Sequence, residues 1–267
     1  MNFWTEKSVE FANQKNYLDE LYKVYPISPN LRRKLDPDLQ RNIETAFQDR
    51  DNEALINNLL QLELFPIKDS YVAYLRHDKS SIKRNPQTIN RIAGTIYEMG
   101  YDAVIEKCTD PKETNRQIGP MFKYWLSKKT LGVPVYKTVS DFLRNPNENA
   151  ILNASDAEMA DFARKYLGYS RDKGLDFLAR FNKKYILGEA KFLTDFGGHQ
   201  NAQFDDAVST ITSKFYSKAI KAEVIPIAIM DGVLYIKKNN KLYHYLENHE
   251  EQIIISSLLL REFLYSL

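Results

Sequence analysis

Residues 174–203, GLDFLARFNKKYILGEAKFLTDFGGHQNAQ, contain two β-rich runs, Leu175–Phe181 and Tyr185–Leu193, that read as a hairpin. Asp176 stands near the start of the first run, and Glu189, Ala190 and Lys191 stand near the end of the second. Side chains two apart on a strand share a face, so Glu189 and Lys191 project together while Ala190 points into the protein. The hairpin brings Asp176 beside them. Two carboxylates and an amine at strand ends suit metal-assisted phosphodiester hydrolysis. The carboxylates are hard oxygen ligands for Mg²⁺, and the amine is a cation near the attacking water and the charged phosphate. The residues around the trio fit a buried central strand: Gly188 and Ala190 are small, and Tyr185-Ile186-Leu187 is an apolar lead-in. A polar, glycine-bearing loop follows at once.

The spacing Asp176, twelve residues, then Glu189-x-Lys191 resembles the PD-(D/E)xK nuclease motif. The loop Thr194-Asp195-Phe196-Gly197-Gly198-His199-Gln200-Asn201 resembles segments of type II restriction endonucleases of that superfamily, and Gln117–Leu126 supports the likeness more loosely. The resemblance is strongest over Gly174–Ala207. It implies Asp176 and Glu189 as metal ligands, the backbone carbonyl of Ala190 as a third, Mg²⁺ as the metal, and Lys191 beside the attacking water. In many nucleases of this kind an earlier helix adds a further acid, which makes Glu98 a candidate; the plainer reading of Glu98 is a solvated glutamate.

The chain has 267 residues, 43% hydrophobic and 27% charged, which is enough for one large domain or a catalytic domain with a helical extension. No apolar run approaches the ~20 residues of a membrane span, and the opening MNFWTEKSVEF lacks a signal-peptide layout, so the expectation is a soluble cytoplasmic protein without a membrane partner. Cys108 is the single cysteine, which excludes an internal disulfide and a multi-cysteine zinc site. The net charge of +2 is not the footprint of a generic DNA binder. Acids kept for metal offset basic residues elsewhere, so the local distribution matters more than the sum.

Residues 1–66 read as a helical N-terminal region packed on a core of residues 67–267. Helices are expected over Ser8–Val24, from near Ser28 to Asp49, and over the leucine-rich Ala54–Leu64. Gln87–Lys107 reads as one more helix after the Asn85-Pro86 turn. Residues 114–140 contain no acid, and their Lys123, Lys128 and Lys129 are interleaved with Tyr124 and Trp125, a pattern that suits contact with phosphates or, equally, a basic helix face beside a core tryptophan. Asn145-Pro146-Asn147 marks a turn, and Ser155 or Asp156 caps a helix to Tyr166 that Gly168 can end. After the hairpin, a helix over Asn201–Lys221 would start at the site with Gln200 and Gln203 facing the cleft. Asp231-Gly232 signals a second hairpin between Val224–Met230 and Val233–Lys237, Leu242–Leu246 follows a turn, and Glu251–Leu267 reads as an apolar helix.

The expected fold is α/β of mixed α+β character: a central mixed sheet flanked by helices, restriction-endonuclease-like, with a helical N-terminal extension. The expected partner is double-stranded DNA, with His199, Gln200, Asn201 and Gln203 as further contacts. A homodimer is expected because one chain offers a single trio and a double-strand break needs two cuts. The alternatives are a repair or junction-resolving nuclease of the same fold, and a non-catalytic DNA-binding module. His77, His244 and His249 have no metal-ligand spacing.

Overall fold

The computed structural model describes residues 1–26, 32–111, 114–216, 220–237 and 240–267. The chain divides into two compact units, one of Met1–Ile27 with Thr114–Leu267 and one of Ser28–Glu113. The first unit opens with helices α1 (Phe3–Ala12) and α2 (Tyr17–Val24). The second unit is helical: α3 (Pro37–Gln48), α4 (Asn52–Leu59), α5 (Ser70–His77), α6 (Ser81–Arg84), α7 (Pro86–Met99) and α8 (Tyr101–Cys108). The first unit resumes with α9 (Thr114–Ser127), β1 (Val135–Tyr136), α10 (Val139–Arg144), β2 (Ala150–Leu152), α11 (Asp156–Phe162), β3 (Phe177–Phe181), β4 (Lys184–Leu193), α12 (Gly198–Ile211), β5 (Val224–Gly232), α13 (Lys241–Asn248), β6 (Ile254–Ile255) and α14 (Leu260–Ser266).

The boundary expected after residue 66 does not coincide with this division. The apolar face of α1 and α2 goes to the sheet unit, where Val9, Leu21 and Val24 join the cluster of Ile186, Ile227 and Phe263. Residues 67–111 instead share a core with α3 and α4 through Leu75, Ile89, Ile92 and Val104.

Among the described residues six strands form one sheet in chain order. β1 and β2 are parallel, β2–β3 and β3–β4 are antiparallel, and β4–β5 and β5–β6 are parallel. This is the mixed sheet flanked by helices that the sequence implies. The hairpin of β3 and β4 closes on Asn182 and Lys183, both at positive φ (47° and 65°), between the paired Phe181 and Lys184. Such a two-residue turn matches the right-handed twist of its strands. β4 is central, and its backbone runs so close to β5 that a Cβ on Gly188 would lie 2.1 Å from the Ile227 carbonyl oxygen. Arg180 of β3 is fully buried and donates to the carbonyls of Phe142 (3.1 Å), Asn145 (2.6 Å) and Glu148 (2.9 Å), which pins the expected turn at Asn145.

Several element readings change. The helix over Ser8–Val24 is two helices, because Asn16 takes a left-handed conformation (φ 74°) before α2. The start expected near Ser28 lies outside the described residues; α3 begins at Pro37, with Asp36 accepting from the Asp38 and Leu39 amides. Gly100 (φ 80°) breaks Gln87–Lys107 into α7 and α8. α11 carries the Ser155–Glu158 capping box and continues through a wider turn over Ala163–Leu167 to left-handed Gly168. The end of the helix expected to reach Lys221 is Ile211.

The Asp231-Gly232 hairpin does not form. β5 runs straight through both residues beside β4, pairing Asp231 with Phe192 and Gly232 with Leu193. Asp231 is fully buried, accepting from the Tyr25 hydroxyl (2.9 Å), the Ser256 hydroxyl (2.5 Å) and the Ser257 amide (3.3 Å). Residues 242–246 lie in helix α13, and Glu251–Leu267 holds β6 before the short α14, because Ile254 and Ile255 extend the sheet beside Ala228 and Ile229.

Candidate active site

The trio meets where β3 begins. Asp176 lies one residue before β3, its amide donating to the Gly188 carbonyl at 3.1 Å, so the hairpin register sets it opposite the end of β4. Its Oδ2 accepts from the Ala190 amide at 2.9 Å and from Lys191 Nζ at 2.7 Å. Lys191 Nζ also donates to Glu189 Oε2 at 2.8 Å. One ammonium thus joins the two carboxylates, as the alternation along β4 requires, and Ala190 faces the core at 4% exposure.

The N–H and C=O of one strand residue point to the same side. The Ala190 carbonyl is therefore directed to the Asp176 side, past the point where β3 begins. Two carboxylates and this carbonyl form a hard-oxygen donor set of the kind Mg²⁺ takes. They fit such an ion in chemistry. Among the described residues no group of three or more histidine, cysteine or acidic side chains forms a metal cluster, and both carboxylates are ion-paired with Lys191.

Burial pushes the Asp176 carboxyl up, but the adjacent Lys191 ammonium and the Ala190 N–H outweigh it and hold Asp176 below the usual aspartate value. Burial raises Glu189, and the nearby Asp176 charge adds to it against the pull of Lys191. Burial disfavours the Lys191 charge, yet the two carboxylates prevail and keep its pKa above an ordinary lysine's. Lys191 is therefore held as a cation. This geometry supports stabilising charge on a phosphate; accepting a proton from water would require both carboxylates to be drawn away first.

Lys173, Arg171 and Asp206 complete the site, and none of them belongs to the motif that the sequence displays. Lys173 Nζ donates to Glu189 Oε2 at 3.1 Å and is ion-paired with Asp206 of α12. Arg171 pairs with Asp206 at 3.2 Å and donates to Thr210, whose hydroxyl lies 3.5 Å from Glu189 Oε1. Burial holds the Lys173 pKa below that of an ordinary lysine, in spite of the Glu189 charge. The run Arg171-Asp172-Lys173 just before the hairpin is the sequence signal of the two cations, and Asp206 has none. An open cleft of about 450 Å³ is lined by Asp156, Arg164, Lys173, Asp176, Glu189 and Lys191.

Gln203 of α12 lines an adjoining cleft of about 200 Å³ with Asp176, Lys191 and Ile118, and its amide meets His199 Nε2 at 3.1 Å. Gln200 does not face the cleft: it is buried and accepts from the Thr194 amide at 3.2 Å, bracing the loop. His199 is exposed and Asn201 is half-buried, its amide reaching the Phe196 carbonyl at 3.4 Å. Lys123 is also committed, to the Ala154 carbonyl at 2.8 Å and to Asp156. Lys128 and Lys129 are exposed after α9, with Lys128 over the Tyr124 ring at 4.6 Å. Glu98 is an exposed side chain of α7, in the helical unit and not in the unit that carries the trio. Cys108 is buried, which pushes its thiol up to about 12 and leaves it no nucleophilic role at neutral pH.

The six-stranded mixed sheet of the described residues, flanked by helices, is that of a restriction-endonuclease-like α/β protein. A family model, the Tsp45I type II restriction enzyme, matches residues 2–267, and the chain belongs to that family. No curated protein matches the chain, and neither does any solved structure. Membership implies DNA binding, and among the described residues no helix is long and apolar enough to cross a membrane.

Proposed function

We propose that this restriction enzyme is a Mg²⁺-dependent, cytoplasmic endonuclease of the PD-(D/E)xK type that hydrolyses both strands of double-stranded DNA at a specific sequence. The observation that carries the reading is the convergence of Asp176, Glu189 and Lys191, with Lys191 Nζ 2.7 and 2.8 Å from the two carboxylates, in a chain whose whole length matches a restriction-enzyme family. Asp176, Glu189 and the Ala190 carbonyl would hold the ion. When bound, Mg²⁺ supplies a Lewis acid for the phosphate and acidifies a water. Lys191 remains a cation and faces the negative charge that develops on the phosphoryl oxygens. Lys128 and Lys129 contact the DNA backbone, while Gln203, which shares a cleft with Asp176 and Lys191, reads base edges together with His199 and Asn201 of the same helix start.

Digestion of a sequenced plasmid tests this. Discrete fragments are expected with Mg²⁺ and none in excess chelator, with Asp176→Ala, Glu189→Ala and Lys191→Ala each slowing cleavage about a hundredfold or more. Equal cleavage in chelator would remove the metal; full turnover by the Glu189 variant would remove the site.

A further inference from the structure

The group that holds Glu189 most tightly besides Lys191 has no place in the hydrolysis described above. Glu189 is 1% exposed and its two oxygens are unequally occupied. Oε2 accepts from two ammonium groups, Lys191 at 2.8 Å and Lys173 at 3.1 Å, whereas Oε1 makes a long 3.5 Å contact with the Thr210 hydroxyl. The Lys173 ammonium has a second acceptor already in place, the Asp206 carboxylate, which Arg171 holds from its other side. Lys173 precedes the hairpin and Asp206 is on α12, so the ammonium sits between two elements, with an acid on each.

We infer that Lys173 is a positioning residue for Glu189 that rivals a divalent cation for Oε2, with Asp206 as the acceptor to which it withdraws. The inference rests on the reading of Asp176 and Glu189 as metal ligands. An ammonium and a dication on one carboxylate oxygen repel each other, and of the two ammoniums on Oε2 it is Lys173 that has an acceptor outside the proposed ligand pair, Asp206, whereas Lys191 is paired with Asp176 and Glu189. Lys173 need not be expelled into solvent when it leaves, since Asp206 offsets its charge. The arrangement satisfies a nearly sealed carboxylate in the absence of an ion and makes metal affinity depend on how Lys173 is shared between Glu189 and Asp206.

Calorimetric titration of the full chain with Mg²⁺, without DNA, tests this apart from cleavage. Lys173→Met should tighten Mg²⁺ binding about tenfold, and Asp206→Asn should weaken it about threefold, because Lys173 then has Glu189 alone. Loss of charge at a distance would produce the same two signs, so the double variant decides. If Asp206 acts through Lys173, Asp206→Asn in the Lys173→Met background should change affinity less than about twofold. Additive effects in this cycle, or unchanged affinity for Lys173→Met, would overturn the inference. Thermal unfolding of each variant checks folding, with Lys173→Gln substituted if the methionine variant does not fold. Mg²⁺ binding that persists unchanged in Glu189→Ala, or no binding by the unaltered chain, would instead overturn the metal-site reading itself.

Discussion

Asp231 is a buried carboxyl enclosed by Tyr25, Ser256 and Ser257 at the end of β5, with no cation paired to it among the described residues. Burial raises its pKa above the usual 3.8, and the hydrogen bonds from Ser256, Ser257 and Tyr25 only partly oppose this. The folded chain therefore binds a proton here that the unfolded chain has released. Its contribution to stability is fully present below the unfolded value of 3.8 and is lost as pH rises through the raised folded value. Asp231→Asn cannot ionise and should remove this dependence. The melting temperature of the variant relative to the unaltered chain is expected to rise between pH 4 and pH 7; a difference that stays constant with pH would show that Asp231 does not titrate in this way. Gly188 and Gly232 illustrate a different constraint at the same scale. A Cβ at either would lie 2.1 Å from a backbone oxygen, of Ile227 and of Leu193 respectively, so the β4–β5 pair that carries Glu189 closes only because those positions have no side chain.

The hairpin of β3 and β4 sets the site because its register places Asp176 against Ala190. A slip of one residue would turn Glu189 and Lys191 to the opposite face. Its turn is not optimal, since Lys183 has φ 65°, a conformation that costs a non-glycine residue roughly 1–2 kcal/mol. Lys183→Gly should stabilise the protein by about 0.5 kcal/mol after the greater freedom of the unfolded chain is offset. Denaturant unfolding would show this as a higher midpoint at unchanged slope; a lower midpoint would mean that Lys183 contributes more than its conformation costs. The alternation of β4 is legible in its residues, because period 2 is a property of the strand alone. The path of Asp231-Gly232 is not. The same dipeptide that favours a tight turn is drawn into β5, where parallel pairing with β4 and the hydroxyls of Tyr25 and Ser256 meet its backbone and carboxyl needs.

The proposal of two chains per site rests on the single trio described in each chain: a two-fold axis shared with a palindromic DNA site would place one trio at each strand, whereas one chain would have to nick and rebind. Sedimentation with cognate duplex is expected to show two chains per duplex; one chain per duplex, with nicked circles preceding linear product, would overturn the dimer. Leu55, Ile56, Leu59 and Leu60 are buried in the core of the helical unit, and Leu260, Phe263 and Leu264 in that of the sheet unit. Both runs are used up in folding, because the apolar pattern of an interface helix and that of a core helix are the same.

The sequence by itself determined the hairpin, the common face of Glu189 and Lys191, and the arrival of Asp176 beside them, since all three follow from short-range strand geometry within one loop closure. It also carried the helix cap at Ser155, which is a local hydrogen bond to the next turn. Only the tertiary structure decided that Lys173 and Asp206, 33 residues apart, would share an ion pair beside Glu189, that Gln200 would brace a loop instead of facing the cleft, and that α1 and α2 would join the sheet unit. Such pairings depend on how α12 and the N-terminal helices pack on the sheet. Charge and polarity in the sequence say which partners a side chain accepts, and the packing of distant elements selects among them.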